Sequence, residues 1–354
     1  MMTLRQFSLK PEFLLSSTSW YLADLGEARG KQDLFTKQSP QKLKVLRENA
    51  MIESAVSSNR IEGVTVDQTR IRTLVFGKPV LRDRDEEEVR GYRDALKLIH
   101  EQGKSLPVSE ETILNFHRLC RGDIWDAGKY KERDGDIIER YANGRERIRF
   151  KPVEATKTPT FMHDLIEMWD HCIFERWVHP LIAMAAFNLD FLCIHPFRDG
   201  NGRVSRLLLL LQCYHLAYEV GRYISLERLI EQNKDRYYET LEQSSDRWHD
   251  CKHNPWPYIN YILYTLKTAY REFEERVGQI TSPKGAKAEM VLNAIRAQRG
   301  EFRLVDIERA CPGVGREWIR ALLASLKKSG EVKCHGKGPA ARWAYQGEKG
   351  STLK

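Results

Sequence analysis

The sequence HPFRDGNGRVSR, residues 195–206, joins two apolar stretches of the chain. Residues 181–194 precede it and residues 204–220 follow it, and both have the length and apolar content of buried helices. The sequence therefore predicts a helix, a loop that begins at a histidine, and a second helix. Gly200 and Gly202 lie where the second helix begins, and there they allow backbone conformations that other residues rarely adopt.

The loop has the features of an anion site. The backbone N–H groups of Gly200, Asn201 and Gly202 can face a common point and form a concave nest. The N-terminus of the following helix adds its partial positive charge. Arg203 and Arg206 are three residues apart, so both side chains can project along one side of the first helical turns. These residues predict a phosphate site with a histidine and a carboxylate beside it.

Residues 195–206 resemble the signature of the Fic (filamentation induced by cAMP) family: His, any residue, Phe, any residue, Asp or Glu, Gly, Asn, Gly, Arg, two residues, Arg. Members of that family mostly transfer AMP from ATP to a hydroxyl group of a target protein. The resemblance covers roughly residues 35–275 and implies a mainly α fold, with a helical core and a β-hairpin flap. We therefore expect a protein adenylyltransferase that uses ATP and also modifies itself.

The signature residues divide into chemical roles. His195 is the expected catalytic base, because a neutral imidazole with an unperturbed pKa near about 6.5 can accept a hydroxyl proton. The oxygen then attacks the α-phosphate and pyrophosphate leaves. Asp199 cannot approach a phosphate favourably without a cation between them, so it is the expected ligand of Mg²⁺. Arg203 and Arg206 are expected to bind the β- and γ-phosphates.

A second motif, SNRIEG at residues 58–63, ends a helix predicted for residues 41–61. A glutamate in a last helical turn is electrostatically unfavourable, so Glu62 needs a positive partner. The motif resembles the inhibitory helix of many Fic proteins, in which the glutamate pairs with the second arginine of the signature. The resemblance implies that Glu62 binds Arg206 and keeps ATP from binding productively. In some relatives this glutamate also supports removal of AMP, so Glu62 positioning a water molecule is an open alternative.

Residues 134–150 are predicted to form a β-hairpin, because Asn143 and Gly144 form a typical turn between two strand-like segments. By resemblance it is the Fic flap, which lies over the active site and aligns a segment of the target by strand-like pairing. An ordinary surface hairpin is the other interpretation. The candidate flap residues are Asp136, Ile137 and Ile138.

Tyr237 and Tyr238 are adjacent in a helix predicted for residues 226–245, so one of them is expected in the core. By resemblance this helix lies near the adenine of the nucleotide. That implies that Tyr237 or Tyr238 stacks on the base and that Ser245 can form a hydrogen bond with it. For Ser245 a purely structural role is the preferred alternative.

The C-terminal segment has its own pattern. Residues 281–285, TSPKG, read as a linker, and three short helices and two short strands are predicted after it. This order resembles a winged helix-turn-helix in which residues 314–328 form the recognition helix. DNA binding by Arg316, Arg320 and Lys327 is then one interpretation, and a protein-interaction module is the other.

The composition describes a globular protein. The chain has 354 residues, of which 42% are hydrophobic and 30% charged, and no apolar run approaches the roughly 20 residues that span a membrane. Seven scattered cysteines and the lack of a signal-peptide pattern predict a reduced, cytoplasmic protein. Residues 283–354 carry 15 Lys and Arg against 7 Asp and Glu, so the net charge of +8 lies entirely in this segment.

Three domains are predicted: a helical region at residues 1–110, a Fic core at residues 111–275 and a winged helix at residues 283–346. Residues 1–40 show no long periodic pattern. Transfer of another nucleotide or of phosphocholine, and removal of AMP, remain alternatives. A DNA-binding regulator whose Fic core only senses nucleotide is an alternative from another class, and a homodimer is possible by analogy.

A metal site is a weaker hypothesis. His249, Cys251 and His253 alternate along the sequence and could ligate zinc if they lay on a strand. No second cluster with suitable spacing supplies the remaining ligands.

Overall fold

The computed structural model describes residues 2–9, 14–36, 40–140, 144–279, 286–296, 298, 300–311, 314–336, 338 and 341–346. The predicted turn residue Asn143 and the predicted linker at residues 281–285 lie outside these ranges.

The protein is mainly α-helical, as predicted, and the strands within the described ranges form two small antiparallel sheets. None of the described helices combines the length and the apolar composition that crossing a membrane requires. The helices are α1 (Thr3–Leu9), α2 (Ser16–Thr36), α3 (Pro40–Ile61), α4 (Ile71–Phe76), α5 (Arg84–Gln102), α6 (Glu110–Arg121), α7 (Thr158–Glu175), α8 (Pro180–Ile194), α9 (Asn201–His215), α10 (Leu226–Gln232), α11 (Lys234–Ser245), α12 (Trp256–Gln279), α13 (Ala286–Arg296), α14 (Leu304–Ala310) and α15 (Arg316–Ser329). The strands are β1 (Ile137–Arg140), β2 (Glu146–Phe150), β3 (Phe302–Arg303), β4 (Val332–His335) and β5 (Arg342–Tyr345).

The chain forms two compact units, and α8 lies at the centre of the larger one, which comprises residues up to Gly30 and Lys44–Phe273. Every residue from Leu181 to Ile194 is buried, because α8 is apolar around its whole circumference. Helices α7 and α9 pack against it. Asn188 ties three helices together, since its amide donates to the Ser205 carbonyl at 2.7 Å and accepts from the Tyr258 hydroxyl at 2.6 Å. The predicted helix, loop and second helix are therefore confirmed.

A buried carboxylate of α8 caps the N-terminus of α1. Asp190 accepts hydrogen bonds from the Thr3 backbone N–H at 2.9 Å, the Thr3 hydroxyl at 2.7 Å and the Leu4 N–H at 3.1 Å. The indole of Trp248 donates a further bond at 2.8 Å. Burial raises the pKa of Asp190 to about 6, although these donors lower it. The N-terminal helix is thus held against the central helix by backbone capping.

Helix α3 buries small polar side chains in addition to apolar ones such as Leu46 and Ala55. Ser54, Ser58 and Asn59 are each at most 3% exposed. The Ser54 hydroxyl donates to the Glu227 carboxylate of α10 at 2.6 Å, and the Tyr92 hydroxyl of α5 donates to the same carboxylate at 3.0 Å. Hydrogen bonds therefore hold α3 in place, because buried polar groups must be paired.

The predicted β-hairpin is present. Strands β1 and β2 are antiparallel, with Ile138 opposite Ile148 and an irregularity between Ile137 and Ile138. The hairpin is attached to α11 through Arg149, which donates to the Tyr238 backbone carbonyl. It is the element that the sequence assigns to the flap.

The second unit comprises residues 31–43 and 274–354. In its described part, α13, α14 and α15 enclose a small apolar core, and β5 lies between β3 and β4 in an antiparallel sheet. Phe302, Ile307, Ile319 and Leu323 are at most 2% exposed in this core. The three predicted helices and two predicted strands are found, with an additional short strand, β3, between α13 and α14. The assignment as a winged helix stays a prediction.

Candidate functional site

The signature loop leaves α8 in a left-handed conformation. His195 is the C-cap of α8 with φ 51° and ψ 62°, and its backbone N–H donates to the Phe191 carbonyl at 2.9 Å. Gly200 reverses the chain again, with φ 85°, and is the N-cap of α9. A non-glycine residue is rarely found in the conformation of His195, and such outliers concentrate at functional sites. His195 and Gly202, at the start of α9, line the same cavity.

The loop is braced by its own side chains. Phe197 is 1% exposed and anchors the loop in the core. The Asn201 amide accepts from the Phe197 N–H at 2.9 Å and donates to the Phe197 carbonyl at 2.7 Å. The Gly200 N–H donates to the Asp199 carboxylate at 2.6 Å. The Gly200 N–H, which the sequence assigned to the phosphate nest, thus binds Asp199 of the loop itself. The backbone N–H of Asn201 is not involved in these contacts, so its place in the nest stays a prediction.

His117 of α6 also supports the loop, and sequence reasoning missed it. Its ring stacks on Phe197, with centroids 3.8 Å apart and an interplanar angle of 2°. Its Nδ1 accepts from the Gly128 N–H at 2.9 Å, so Nε2 carries the proton and donates to the Asp199 carbonyl at 3.0 Å. Burial lowers the pKa of His117 to about 4, which keeps the ring neutral. Nothing in the local sequence distinguishes it from an ordinary core histidine.

His195 has the protonation state that a base requires. Its Nδ1 lies 3.3 Å from the Leu192 carbonyl, which assigns the proton to Nδ1 and leaves the lone pair on Nε2. Burial, with a contribution from the positive charge of Lys131, lowers the pKa of His195 to about 4. Glu62 and Asp199 oppose this shift. The imidazole is therefore neutral well below the pH expected from an unperturbed histidine.

Asp199 is surrounded by positive charge. Its Oδ2 lies 2.5 Å from Arg121 Nη1, 3.8 Å from Arg203 Nη2 and 3.9 Å from Arg84 Nη2. Burial acts to raise the pKa of Asp199, but these arginines and the Gly200 N–H outweigh it and hold the pKa below its usual range. The carboxylate is 53% exposed, so a ligand can reach it.

Arg203 is buried against a glutamate that the sequence did not single out. Its side chain is 1% exposed, and its Nη1 lies 2.7 Å from Glu88 Oε2 of α5. Glu88 Oε1 also accepts from Arg121 Nη1 at 3.0 Å and from Arg84 Nε at 3.1 Å. Glu88 and the three arginines form a cluster behind the signature loop, which we call the Glu88 cluster.

Arg206 is held by the motif at residues 58–63. Its Nη2 lies 2.8 Å from Glu62 Oε1, and the Ser58 hydroxyl and carbonyl accept from Nε and Nη2 at 2.9 Å each. We call the Glu62–Arg206 pair the latch. Arg206 is 4% exposed, and its Nη1 is buried without a partner among the described residues. An unpaired buried guanidinium nitrogen is costly, and it marks a place for an anion.

Glu62 also covers the start of α9. A Cβ atom at Gly202 would overlap with Glu62 Oε1 and would lie 3.1 Å from Arg206 Nη1. The carboxylate can therefore reach this position only because residue 202 is glycine. Glu62 thus lies against the helix N-terminus that the sequence predicts as the phosphate nest.

A cavity of about 200 Å³ brings together residues that are far apart in sequence. Tyr237 is 3% exposed and belongs to the core, whereas Tyr238 is partly exposed and lies beneath the Arg149 guanidinium, 5.0 Å from its ring centroid. The Ser245 hydroxyl donates to the Glu242 carbonyl of its own helix at 3.2 Å. The sequence-predicted residues that line the cavity are Glu62, Ile137, His195, Gly202, Arg206, Tyr237, Tyr238 and Ser245.

His195 also lines a second cavity, of about 530 Å³. Its walls include Lys131, Asp136, Ile137 and Phe197. His195 and Ile137 line both cavities. Ile138 lines neither of them and is 45% exposed. His195 thus lies in the wall of a cavity that contains Arg206 and in the wall of a larger one that does not.

The zinc hypothesis is not supported by the positions of its residues. His249 lies 2.7 Å from the Lys151 carbonyl, whereas His253 lies 2.8 Å from the Thr3 hydroxyl, and Cys251 is exposed. Within the part of the chain that the structure describes, no group of three or more His, Cys, Asp or Glu residues could hold a metal ion. A short helical turn at residues 248–250 replaces the strand that the hypothesis required.

Comparison with known proteins agrees with the geometry. Residues 107–213 match the model of the Fic/DOC family. This segment is a Fic domain. The prediction from the signature is therefore confirmed, and the matched range contains α6, the hairpin, α8 and most of α9.

Curated relatives of the Fic domain carry the name protein adenylyltransferase Fic. The protein of Nematostella vectensis is 28% identical over 170 residues, which is 45% of this chain and 36% of that protein. The protein of Drosophila melanogaster is 25% identical over 296 residues, which is 73% of this chain and 54% of that protein. The chain thus spans between about a third and about half of the length of these relatives.

Solved structures share the fold. A Fic family protein from Desulfovibrio desulfuricans G20 superposes with a TM-score of 0.62 at 24% identity, covering 96% of this chain and 98% of that protein. A Fic domain-containing signalling protein from Bacteroides thetaiotaomicron superposes with a TM-score of 0.59 at 22% identity, covering 73% of this chain and all of that one.

Proposed function

We propose that this protein transfers AMP from ATP to a hydroxyl side chain of target proteins and of itself. The observation that carries the proposal is that His195 lines both the cavity containing Arg206 and the larger cavity beside Lys131 and Phe197. A base placed there can touch an acceptor hydroxyl on one side and the reacting phosphate on the other. The Fic domain and the adenylyltransferase relatives support the same reaction class.

In this mechanism the acceptor hydroxyl gives its proton to His195 Nε2 as its oxygen attacks the α-phosphorus of ATP. The bond between the α-phosphorus and the bridging oxygen breaks, and pyrophosphate leaves with the electron pair of that bond. The N–H groups at the start of α9 and the Arg206 guanidinium balance the negative charge of the phosphates. Tyr238 is the better candidate for stacking on the base, because Tyr237 is in the core.

Mg²⁺ fits the carboxylate that is present. Mg²⁺ typically binds one or two carboxylates and completes its shell with substrate phosphates and water, and Asp199 is a half-exposed carboxylate at the phosphate site. Asp199 is the residue that would hold the ion, which would neutralise phosphate charge when bound.

Glu62 inhibits the reaction in this proposal. It pairs with Arg206, the arginine assigned to the γ-phosphate, and lies against the N-terminus of α9. A triphosphate carries negative charge and cannot occupy the same place as the Glu62 carboxylate. Productive binding of ATP therefore requires that the latch open.

Retention of label from α-³²P-ATP on the protein tests the proposal. We expect strong self-labelling by Glu62→Gly, weak labelling by the wild type and none by Glu62→Gly/His195→Ala. If no variant retains label although all bind ATP, transfer of AMP is refuted. Labelling from α-³²P-CTP, α-³²P-GTP, α-³²P-UTP and CDP-choline labelled in its phosphocholine group then distinguishes the other transferable groups. Faster loss of label from pre-labelled wild type than from Glu62→Gly would instead indicate AMP removal.

We propose DNA as a partner of the second unit. Arg316, Arg320 and Lys327 of α15 are all exposed, which supports contact with phosphates. Arg320 lies 2.8 Å from Glu317 and Arg316 lies 3.5 Å from Glu308, so binding would have to compete with these exposed pairs. Fluorescence anisotropy of a labelled 20-base-pair duplex, measured over a salt series with wild type and Lys327→Gln, tests this. Absence of salt-dependent binding would exclude it.

A further inference from the structure

We propose that Glu88 is a positioning residue of the phosphate site, where it fixes the orientation of Arg203 and keeps this guanidinium from closing onto Asp199. This inference rests on the proposed function, because it concerns the binding of the triphosphate. Glu88 lies outside the signature, more than one hundred residues before it in sequence, on α5.

The geometry places Glu88 behind the signature arginine. Glu88 Oε2 lies 2.7 Å from Arg203 Nη1, and its Oε1 accepts from Arg121 Nη1 at 3.0 Å. The side chains of Glu88, Arg121 and Arg203 are 5%, 5% and 1% exposed. Charged hydrogen bonds that are shielded from water in this way hold their partners more firmly than exposed pairs do.

The orientation of Arg203 follows from this contact. Nη1 is bound to Glu88 and lies 3.4 Å from the Asn59 side-chain oxygen, whereas Nη2 is the nitrogen nearer the loop, 3.8 Å from Asp199. The guanidinium is planar, so fixing one nitrogen and its plane also fixes the direction of the other N–H groups. Glu88 therefore directs one edge of Arg203 toward the phosphate site.

The charges show why this anchor is needed. Three guanidinium groups, those of Arg84, Arg121 and Arg203, face two carboxylates, Glu88 and Asp199. Without Glu88, Asp199 would be the remaining carboxylate of this set, and the arginines would compete for it. Arg121 already lies 2.5 Å from Asp199. Collapse of Arg203 onto Asp199 would withdraw both residues from the triphosphate.

Helix α5 offers a matched control. Glu86 is a buried glutamate on the same helix, 3% exposed, and it pairs with Arg70 through contacts of 2.5 and 2.7 Å. It also accepts from the Arg82 backbone N–H at 2.9 Å. These partners belong to the segment before α5 and not to the signature. Loss of Glu86 therefore reports the general effect of removing a buried glutamate from α5.

The experiment measures binding of ATP, ADP and AMP by calorimetry at fixed Mg²⁺ in full-length Glu62→Gly/His195→Ala, which can bind nucleotide without turnover. Adding Glu88→Gln should lower the affinities for ATP and ADP by about tenfold or more, because charged hydrogen bonds to the distal phosphates are lost. The affinity for AMP should change by less than about threefold, since AMP lacks those phosphates. Glu86→Gln should leave all three affinities unchanged.

Glu88→Asp provides a second variant if Glu88→Gln does not fold. This change keeps the charge but shortens the side chain, so the affinity for ATP should fall less than in Glu88→Gln. The affinity for AMP should again be unchanged. Equal weakening of all three nucleotides, unchanged binding of ATP, or the same pattern in Glu86→Gln would overturn the inference. A parent protein that binds AMP as tightly as ATP would contradict the proposed function itself, and the two failures are thus distinguishable.

Discussion

Replacement of Glu62 by glutamine tests the latch with a minimal change of shape. The glutamine amide keeps the size of the side chain and an oxygen acceptor but removes the charge that faces Arg206. The pair is 2.8 Å apart, with Arg206 3% and Glu62 28% exposed. A charged hydrogen bond of this kind contributes about 1.5 to 3 kcal/mol, and the exposure of Glu62 favours the lower end.

About 1.5 kcal/mol corresponds to about a tenfold shift of the equilibrium between the closed and the open latch. If the wild type is mostly closed, the rate of AMP transfer should rise by the same factor in Glu62→Gln. Glu62→Gly should exceed this, because it also clears the N-terminus of α9. The assay is the initial rate of labelling from α-³²P-ATP at saturating Mg²⁺.

Glu53→Gln is the matched control, because Glu53 is on the same helix and is also 28% exposed. It lies 3.0 Å from Arg228, remote from the signature. We expect no rise in rate from this change. If Glu62→Gln has the rate of the wild type while Glu62→Gly is active, the electrostatic reasoning is refuted. Inhibition would then come from the volume of the side chain and not from its charge. A rise in Glu53→Gln would refute the assignment to Arg206.

Three further predictions concern protonation and packing. Since the pKa of His195 is lowered to about 4, the rate of transfer by Glu62→Gly should stay level from about pH 5 to 8 and fall only in stronger acid, in contrast to the decline expected from an unperturbed histidine. His117→Phe should keep the stacking on Phe197 but lose two hydrogen bonds, lowering the free energy of unfolding by about 1 to 3 kcal/mol and slowing transfer. The pKa of Asp190 in the folded state is raised to about 6, so the folded protein binds the proton more tightly than the unfolded chain does. The free energy of unfolding should therefore fall by about 2 to 3 kcal/mol as pH rises from about 4 to 6. Asp190→Asn should remove this dependence.

Each of these has a direct measurement. A half-maximal rate near pH 6.5 would show that burial does not lower the pKa of His195 as stated. Chemical denaturation of His117→Phe at pH 7, compared with His163→Phe on the exposed face of α7, separates bracing of the loop from a general effect of losing a histidine. Chemical denaturation of wild type and Asp190→Asn at pH 4, 5 and 6 checks the third prediction. If the free energy of unfolding changes with pH in the same way in both proteins, the prediction is contradicted.

Most of the correct predictions came from the signature at residues 195–206. Its residues are neighbours in sequence, so their types and spacing already indicate the local geometry of the loop. It placed His195 at a helix–loop junction, and the family resemblance paired Glu62 with Arg206 across 144 residues of sequence. The Fic fold and the mainly α architecture followed from the same resemblance.

What the sequence could not reveal depends on contacts between distant elements. Glu88 directly follows the acidic first turn of α5, where the helix dipole favours carboxylates, so the sequence shows it as one more member of an acidic run. Its burial against Arg203 left no local sign. His117 is likewise one inward position of an amphipathic helix. Helix α2 was missed because its apolar residues do not repeat on one face, and no periodic signal distinguishes it from an irregular arm.

The anchoring of α3 has a consequence for how fast the protein can respond. Lys234 holds the end of the helix through the Ile61 carbonyl at 2.7 Å, and Ser54 and Ser58 fix its body through buried hydrogen bonds. Glu62 follows the last residue of the helix and precedes Gly63, which has φ 87°. Rotation of one partly exposed side chain takes nanoseconds, whereas displacement of a helix takes microseconds or longer. Opening the latch by rotation of Glu62 leaves every other anchor of α3 in place, so we expect the protein to sample its active form many times within a single encounter with ATP.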